Sequence, residues 1–553
     1  MMSAHSREAL LAVLCSCLLA VVLTWPLAAR LGSAGRVDSG DGRHGVWNVA
    51  WVAHSLTTDP RTLFDANIFY PQPNTLVYSE ANLLAGVMGI PAWLLTDGNP
   101  YATFNSVVLL AFVLAALSAY ALARTIGAGR AGAAAGAIIY GFCPFMFAHL
   151  PHIQLLMSFG PALSLLAMHR FVSEPTAGRG AAMGLALAVT GLGCAYYGIF
   201  SALVVSLGVL WFGVIDGRWR HWRYWLHTGL GVCVVSAVML PLFIPYLEVR
   251  DAGFARTLDE ARLYSTTGAA YLASPMWVHR WILPLIETWR EVLFPGFVAV
   301  LFGVSTVWLA RRAADGHRWR MVGFYMAVCA LSFWISLGPD GGLYAWLYHT
   351  LPAFSFLRAP IRMGLLVTLG AAMLTALSVT WLRRDHRRFG HLIGTVAVVG
   401  ALIESVAIPL TLANAPSVPF VYKRLAAMPR GAVVEFPFYQ GPEERHRQTE
   451  YMLLSTFHWQ PLVNGYSDHF PARYLQAKPA LVSFPAPDAL EEIRALGVRW
   501  VVVHFNRYTP EERRRLRPIL RSLPTQLRLV IDRPDVSLYE VIWTTPPADR
   551  LRP

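Results

Sequence analysis

Apolar runs of membrane-spanning length recur along this chain as far as residue 413, and they limit what it can fold into. They lie at 9–29, 98–123, 131–148, 153–168, 180–215, 224–247, 292–310, 321–339, 363–382 and 392–413, and Glu404 is the only charged side chain inside them. The run 180–215 has 36 residues, about 54 Å as helix at 1.5 Å per residue. That is two crossings of a hydrocarbon core about 30 Å thick, with the reversal expected near Cys194-Ala-Tyr-Tyr-Gly198. In lipid every main-chain N–H and C=O must be satisfied within the span, so these runs are expected to be helices. The count is about eleven. Only 14% of the residues are charged, against about 25% in soluble chains.

The first run has no small-x-small cleavage site before the polar residues that follow it, so we read it as a retained span rather than a removed signal. The net charge of +13 is placed by topology. Fifteen arginines sit in five short loops, at 124–130, 170–179, 218–223, 311–320 and 383–388, facing only Glu174, Asp216, Asp315 and Asp385. Arginine excess on short loops marks the cytoplasmic side, so the basic balance is no nucleic-acid footprint. One more run, 81–96, is 16 residues long and contains Pro91. A crossing there would put all five arginine loops outside. We therefore expect an interfacial helix at 81–97 within an outer loop 30–100, a cytoplasmic N-terminus and an extracytoplasmic C-terminus. All six cysteines fall in apolar runs, which leaves no disulfide framework and no cysteine zinc site.

After Pro416 the pattern changes. Short β-branched runs (432–436, 498–504, 527–531, 537–542) alternate with helix-like segments, predicting a soluble α/β domain over 414–553 beside a transmembrane domain over 1–413. It has no glycine-rich phosphate loop.

Chemistry-bearing residues gather in the outer loops. The first reads Asp38-Ser-Gly-Asp41-Gly-Arg-His44 and continues through Asp65 to Glu80. Asp41 or Asp38 could serve as a general base for a hydroxyl acceptor, or hold a divalent cation such as magnesium or manganese through oxygen ligands; the plain alternative is a solvated turn. His44, Asp65 and Glu80 are candidate substrate contacts. His149 and His152 could touch phosphate or metal, although Pro151 breaks the helix that would align them. Arg358 and Arg362 flank a proline just before a span. They could clamp a lipid phosphate or simply snorkel to headgroups. Glu404 is either a functional intramembrane carboxylate or one near a helix end.

The segments Trp25-Pro26, Gly40-Asp41, Trp47-Asn-Val-Ala-Trp51, Asp59-Pro60, Leu63 to Pro71, Tyr78-Ser-Glu80, Phe147-Ala-His149 and Leu357-Arg-Ala-Pro-Ile-Arg362 together resemble bacterial polytopic membrane glycosyltransferases of the GT-C fold with a C-terminal extracytoplasmic domain. The resemblance implies a polyprenyl-phosphate-sugar donor, a glycan, lipid or protein acceptor, and an essential acidic residue in the first outer loop, where Asp41 falls and Asp38 is the near alternative. It also implies residence in the bacterial inner membrane among its lipids. The residues agree: polar groups collect at the outer face, and no Asp-x-Asp nucleotide-metal motif occurs. The competing class is a transporter or flippase of lipid-linked glycans, or a non-catalytic scaffold. A transporter should show two related halves and several midplane charges, which this sequence lacks. The topology has a direct check. Reporter fusions at Ala128 and Gly217 are both expected to report cytoplasm, and an outside signal at either overturns the arginine-based orientation.

Overall fold

The computed structural model describes residues 3–38, 40–251, 256–313, 316–439, 441 and 443–542. Among these, eight helices are long and apolar enough to cross a membrane: Ala4–Leu23, Pro100–Thr125, Arg130–Ala148, Ile153–Ser173, Ala195–Ile215, Trp222–Val249, Arg318–Ser336 and Pro360–Asp385. The three remaining expected runs hold shorter helices, Ala177–Gly193, Phe297–Ala313 and Gly390–Glu404, of 17, 17 and 15 residues. The reversal in the 36-residue run falls at Cys194, whose extended main chain (φ −159°, ψ 121°) separates two helices. The Leu83–Leu95 helix has 13 residues, about 20 Å at 1.5 Å per residue, too short for a core of about 30 Å.

The chain forms two compact units. The first comprises Met1–Leu31, Asn82–Ala85 and Asn105–Leu412. With lipid outside, helices here gain little from apolar burial and pack by close van der Waals approach at small residues. Gly132 and Gly136 show this: a Cβ on either would lie 2.2 or 2.8 Å from the carbonyl oxygens of Ala376 and Ala372 on the Gly364–Asp385 helix. Glu404 ends its helix and turns its carboxylate onto the next one, accepting from the N–H groups of Phe297 (2.8 Å) and Val298 (3.2 Å). Those N–H groups have no intrahelical partner, so the single charge in the apolar runs is used as a helix cap. Gly296, at φ +98°, makes room, since a Cβ there would meet Glu404 Oε2 at 2.4 Å.

The second unit comprises Gly32–Ala81, Gly86–Phe104 and Ala413–Pro553. This differs from a division at 413/414, because most of the first loop folds with the C-terminal segment. Strands β1 (Ala34–Gly35) and β2 (Ala413–Asn414) pair antiparallel. Strands β3 (Ala432–Phe436), β4 (Val498–His504), β5 (Leu527–Ile531) and β6 (Val536–Val541) make a sheet of order β3-β4-β6-β5, with β3 and β4 parallel and the other pairs antiparallel. β3 is buried along its whole length and, apart from Glu435, is of the apolar type common in parallel pairs.

First-loop main chain joins this unit directly. Leu462 N–H donates to the Asn67 carbonyl (2.9 Å), Tyr70 N–H to Leu462 (2.9 Å) and Phe69 N–H to Asn464 (3.3 Å). The Asn67 side chain accepts from Trp47 Nε1 (3.1 Å) and donates to Ser455 Oγ (3.0 Å) and the Gln460 carbonyl (3.2 Å). Asn67 and Trp47 are both buried, so removing the amide strands a buried indole N–H at a cost of about 1–3 kcal/mol. Asn67→Ala is therefore expected to lower the melting temperature of the detergent-purified protein by several degrees, read by tryptophan fluorescence. An unchanged value would mean that the loop folds independently of the C-terminal segment.

Candidate functional site

The first-loop carboxylates divide in role once the Asp41–Thr58 helix forms. Asp38 Oδ1 accepts from Gly40 N–H (3.0 Å) and Gly42 N–H (2.8 Å). It closes the turn that starts the helix, and a Cβ on Gly42 would crowd the Val37 main chain at 2.9 Å. Asp41 is the first helical residue, exposed to solvent, where the helix N-terminus favours negative charge. Its Oδ1 accepts from Tyr466 Oη at 3.0 Å. Burial and the Asp41 carboxylate both push the Tyr466 pKa up, so the phenol keeps its proton and remains a donor.

His44 lies one turn further on, its ring 5.6 Å from Trp47 and 6.0 Å from Tyr466. Burial lowers its pKa, against the pull of Asp41 and Asp468, so it is a neutral imidazole at pH 7. His446 completes the rim, with its Cβ 3.7 Å from where a Gly40 side chain would begin. Around the exposed Asp41 carboxylate, this second-unit cluster therefore sets a phenol donor and a neutral imidazole. Nearby, Arg43 donates to Glu450 (3.1 Å), and Glu450 also pairs with Arg507 (2.7 Å), fastening the helix that carries Asp41.

The other first-loop candidates have local work. Asp65 Oδ1 accepts from Asn74 N–H (2.8 Å), holding a turn where Asn74 is left-handed (φ 56°). The Glu80 carbonyl accepts from Asn48 Nδ2 (3.3 Å).

The first unit holds a separate cluster. The Arg358 guanidinium lies 5.2 Å from the Tyr264 ring centroid and that of Arg362 4.3 Å from Tyr196. Tyr196 Oη accepts from Arg358 N–H (3.1 Å). Glu260 lies 3.6 Å from Arg358 and 2.8 Å from Arg256. His149 pairs through Nε2 with Glu291 (3.2 Å) and through Nδ1 with the Phe145 carbonyl (2.9 Å), and His152 stands 5.5 Å away, ring to ring. Burial pushes the Glu291 pKa up, yet His149, the Val292 N–H and Arg362 together bring it below the usual value. Both arginines are half-buried and laid on tyrosine rings. Among the described residues, no three His, Cys, Asp or Glu side chains gather as metal ligands.

Sequence reasoning missed Tyr466, Glu291 and the buried trio Glu435, His504 and Tyr422. The last three lie on or beside β3 and β4 and are almost wholly buried. Glu435 Oε2 accepts from Tyr422 Oη and lies 2.7 Å from His504 Nε2. A carboxylate on a β-branched run followed by proline was the only sequence signal.

No family model matches the sequence, and no curated protein matches it. Among solved structures, arabinofuranosyltransferase AftD from Mycobacteria superposes with a TM-score of 0.61 at 13% identity, over 97% of this chain and 40% of that one. This chain thus spans well under half of AftD. The oligosaccharyltransferase AglB from Archaeoglobus fulgidus gives 0.48 at 11% identity, over 91% of this chain and 69% of that one. ArnT from Cupriavidus metallidurans gives 0.42 at 14% identity, over 97% and 98%. The chain is a polytopic membrane protein with the fold of the GT-C glycosyltransferases.

The buried trio has a measurable consequence. Burial pushes the Glu435 pKa from 4.5 up to about 8, against Tyr422 and Arg507, and burial with Arg507 pushes His504 well below 6.5. The raised acid contributes stability that is full below 4.5 and lost as pH rises toward 8. The lowered histidine contributes stability that is full above 6.5 and lost as pH falls. The two slopes cancel between about 4.5 and 6.5, and above 6.5 only the glutamate's remains. Melting temperature is therefore expected to fall from pH 6.5 to 8, and Glu435→Gln to flatten that limb.

Proposed function

We propose that this protein is a membrane glycosyltransferase, hexosyl or pentosyl, working at the extracytoplasmic face of a bacterial inner membrane with its N-terminus in the cytoplasm. Its donor is a sugar on a polyprenyl phosphate, and its acceptor is a hydroxyl of a glycan, lipid or protein. The observation that carries this reading is Asp41 itself: within a GT-C fold, an exposed carboxylate at a helix N-terminus that accepts from the Tyr466 hydroxyl.

Asp41 accepts the acceptor hydroxyl's proton as that oxygen attacks the anomeric carbon from the face opposite the phosphate. The new C–O bond forms as the sugar–phosphate bond breaks, so the configuration inverts and the electron pair leaves on the lipid phosphate. Tyr466 donates to Asp41 Oδ1 and so orients the carboxylate. Asp38, with Oδ1 committed to two main-chain N–H groups, is the structural partner of the pair. His44, Asp65 and Glu80 remain proposed substrate contacts, with Asp65 acting through its turn.

Arg358 and Arg362 are proposed to bind the donor phosphate, since stacked guanidinia hold phosphate by paired N–H donors. His149, which pairs with Glu291, and His152 remain proposed substrate contacts. A cation held by Asp41 and Asp38 would have two protein carboxylates and no third side-chain ligand of the usual types among the described residues, so no step is routed through one. Against a transporter reading stands Glu404, the one charge in the apolar runs, which is spent as a helix cap.

Comparing envelope glycans and lipids of wild-type and deletion strains by mass spectrometry identifies the product, and complementation then tests the residues. Loss of a general base costs on the order of a hundred- to ten-thousand-fold. Asp41→Asn is expected to restore almost no product at normal expression, and Asp38→Asn to be milder. Arg362→Ala should raise the donor requirement, with only partial rescue by lysine. Wild-type product from Asp41→Asn removes the mechanism.

A further inference from the structure

Within the first unit, the Ala4–Leu23 helix is unusual. Its only buried residues are Ser16, Ala20 and Leu23, so its first three turns stand away from the bundle. Between those turns and the helices Pro100–Thr125, Arg130–Gly141 and Gly390–Glu404 lies a groove of about 750 Å³. Its floor owes its depth to small side chains, Ala116, Ala134 and Ala137, and it is closed by apolar groups such as Leu11, Ile138 and Phe142.

One end of the groove is charged. Glu8 accepts from Tyr120 Oη (2.9 Å) and pairs with Arg124 (2.7 Å) and Arg130 (2.8 Å). Arg7 is exposed beside it and has no ion-pair partner among the described residues. Three arginines thus face one glutamate, leaving the mouth cationic. From Arg130 to Phe142 the groove runs twelve residues along a helix, about 18 Å, close to half of a core about 30 Å thick. Apolar walls one leaflet deep, with surplus positive charge at the end that meets the headgroups, match a bilayer lipid carrying an anionic phosphate.

We propose that this groove is a binding site for an anionic phospholipid of the leaflet that meets the N-terminal end of the Ala4–Leu23 helix, with an acyl chain along Ala116, Ala134 and Ala137 and the phosphate at Arg7 and Arg130. The site stands apart from the proposed transfer chemistry and does not depend on it. A polyprenyl chain much longer than one leaflet would overrun the groove, which is why a phospholipid is the occupant chosen.

The test uses the full-length protein, delipidated in detergent and titrated with phosphatidylglycerol, phosphatidylcholine of the same chains, or undecaprenyl phosphate, with adducts counted by native mass spectrometry. Phosphatidylglycerol is expected to give one saturable adduct, several-fold tighter than phosphatidylcholine. Arg7→Gln should weaken it about fivefold, the contribution of one arginine near a headgroup, and narrow the difference between the two phospholipids. Ala12→Trp, on the stand-off face of the first helix, should abolish the saturable adduct while the lipid-free melting temperature stays unchanged. An adduct that survives Ala12→Trp, equal binding of the two phospholipids by the wild type, or tighter binding of undecaprenyl phosphate overturns the proposal. Because every readout is binding, failure here leaves the glycosyltransferase reading intact, and failure of that reading leaves this one.

Discussion

Residues 67–70 hydrogen-bond through their main chain to residues 462–464, and the second unit depends on that join. Buried main-chain groups must find partners, and these two segments, almost four hundred residues apart, supply them for each other. Asn67 extends the join with its side-chain amide, reaching Trp47 on one helix and Ser455 on another. Once it exists, the Asp41–Thr58 helix has a surface to bury against, and eleven of its eighteen residues are buried. The Arg43–Glu450–Arg507 ion pairs then fasten the helix at its first turn. Asp41 therefore owes its position, and its contact with Tyr466, to packing set far away in sequence.

Acidic residues in this protein fall into two physical groups. Asp38, Asp65 and Glu404 accept main-chain N–H groups at turns and at a helix start; their charge is consumed where the backbone leaves donors unpaired. Asp41 is held by a phenol, while Glu291 takes both an imidazole and the Val292 N–H, and Glu404 also lies 3.4 Å from His279 Nε2. A carboxylate held by a side chain can exchange that partner for a ligand without unravelling the backbone, and for that reason the proposed chemistry is placed on Asp41. Glu435 belongs to neither, being buried and kept protonated by desolvation, and it acts on stability.

The first unit solves a different problem. Helices surrounded by lipid gain no hydrophobic driving force from touching one another, so Gly132 and Gly136 bring backbones together. Where close packing is relaxed, along the first turns of the Ala4–Leu23 helix, a groove opens. The arginines at 358 and 362 show the same economy at a loop, each laid on a tyrosine ring, where a cation is attracted to the ring face.

The sequence by itself determined the membrane character, the places of the helices, the reversal at Cys194 and the change to strands after residue 416. Each follows from a local rule: an apolar run about as long as the bilayer is thick, or an alternation confined to a few residues. It also pointed to the Asp38–His44 loop, because carboxylates beside a span are rare. What it left open was the difference between the two carboxylates, since the hydrogen bonds that Asp38 accepts from Gly40 and Gly42 are seen only in the folded chain. It gave no sign of Tyr466, Glu291 or the pairing of Glu435 with His504, for which a carboxylate on a β-branched run was the one hint, and it drew the domain boundary at 413/414, whereas most of the first loop packs with the C-terminal segment. Those features rest on contacts between residues far apart in the chain, and no periodicity or local motif encodes a partner about four hundred positions away; only the tertiary structure decides it.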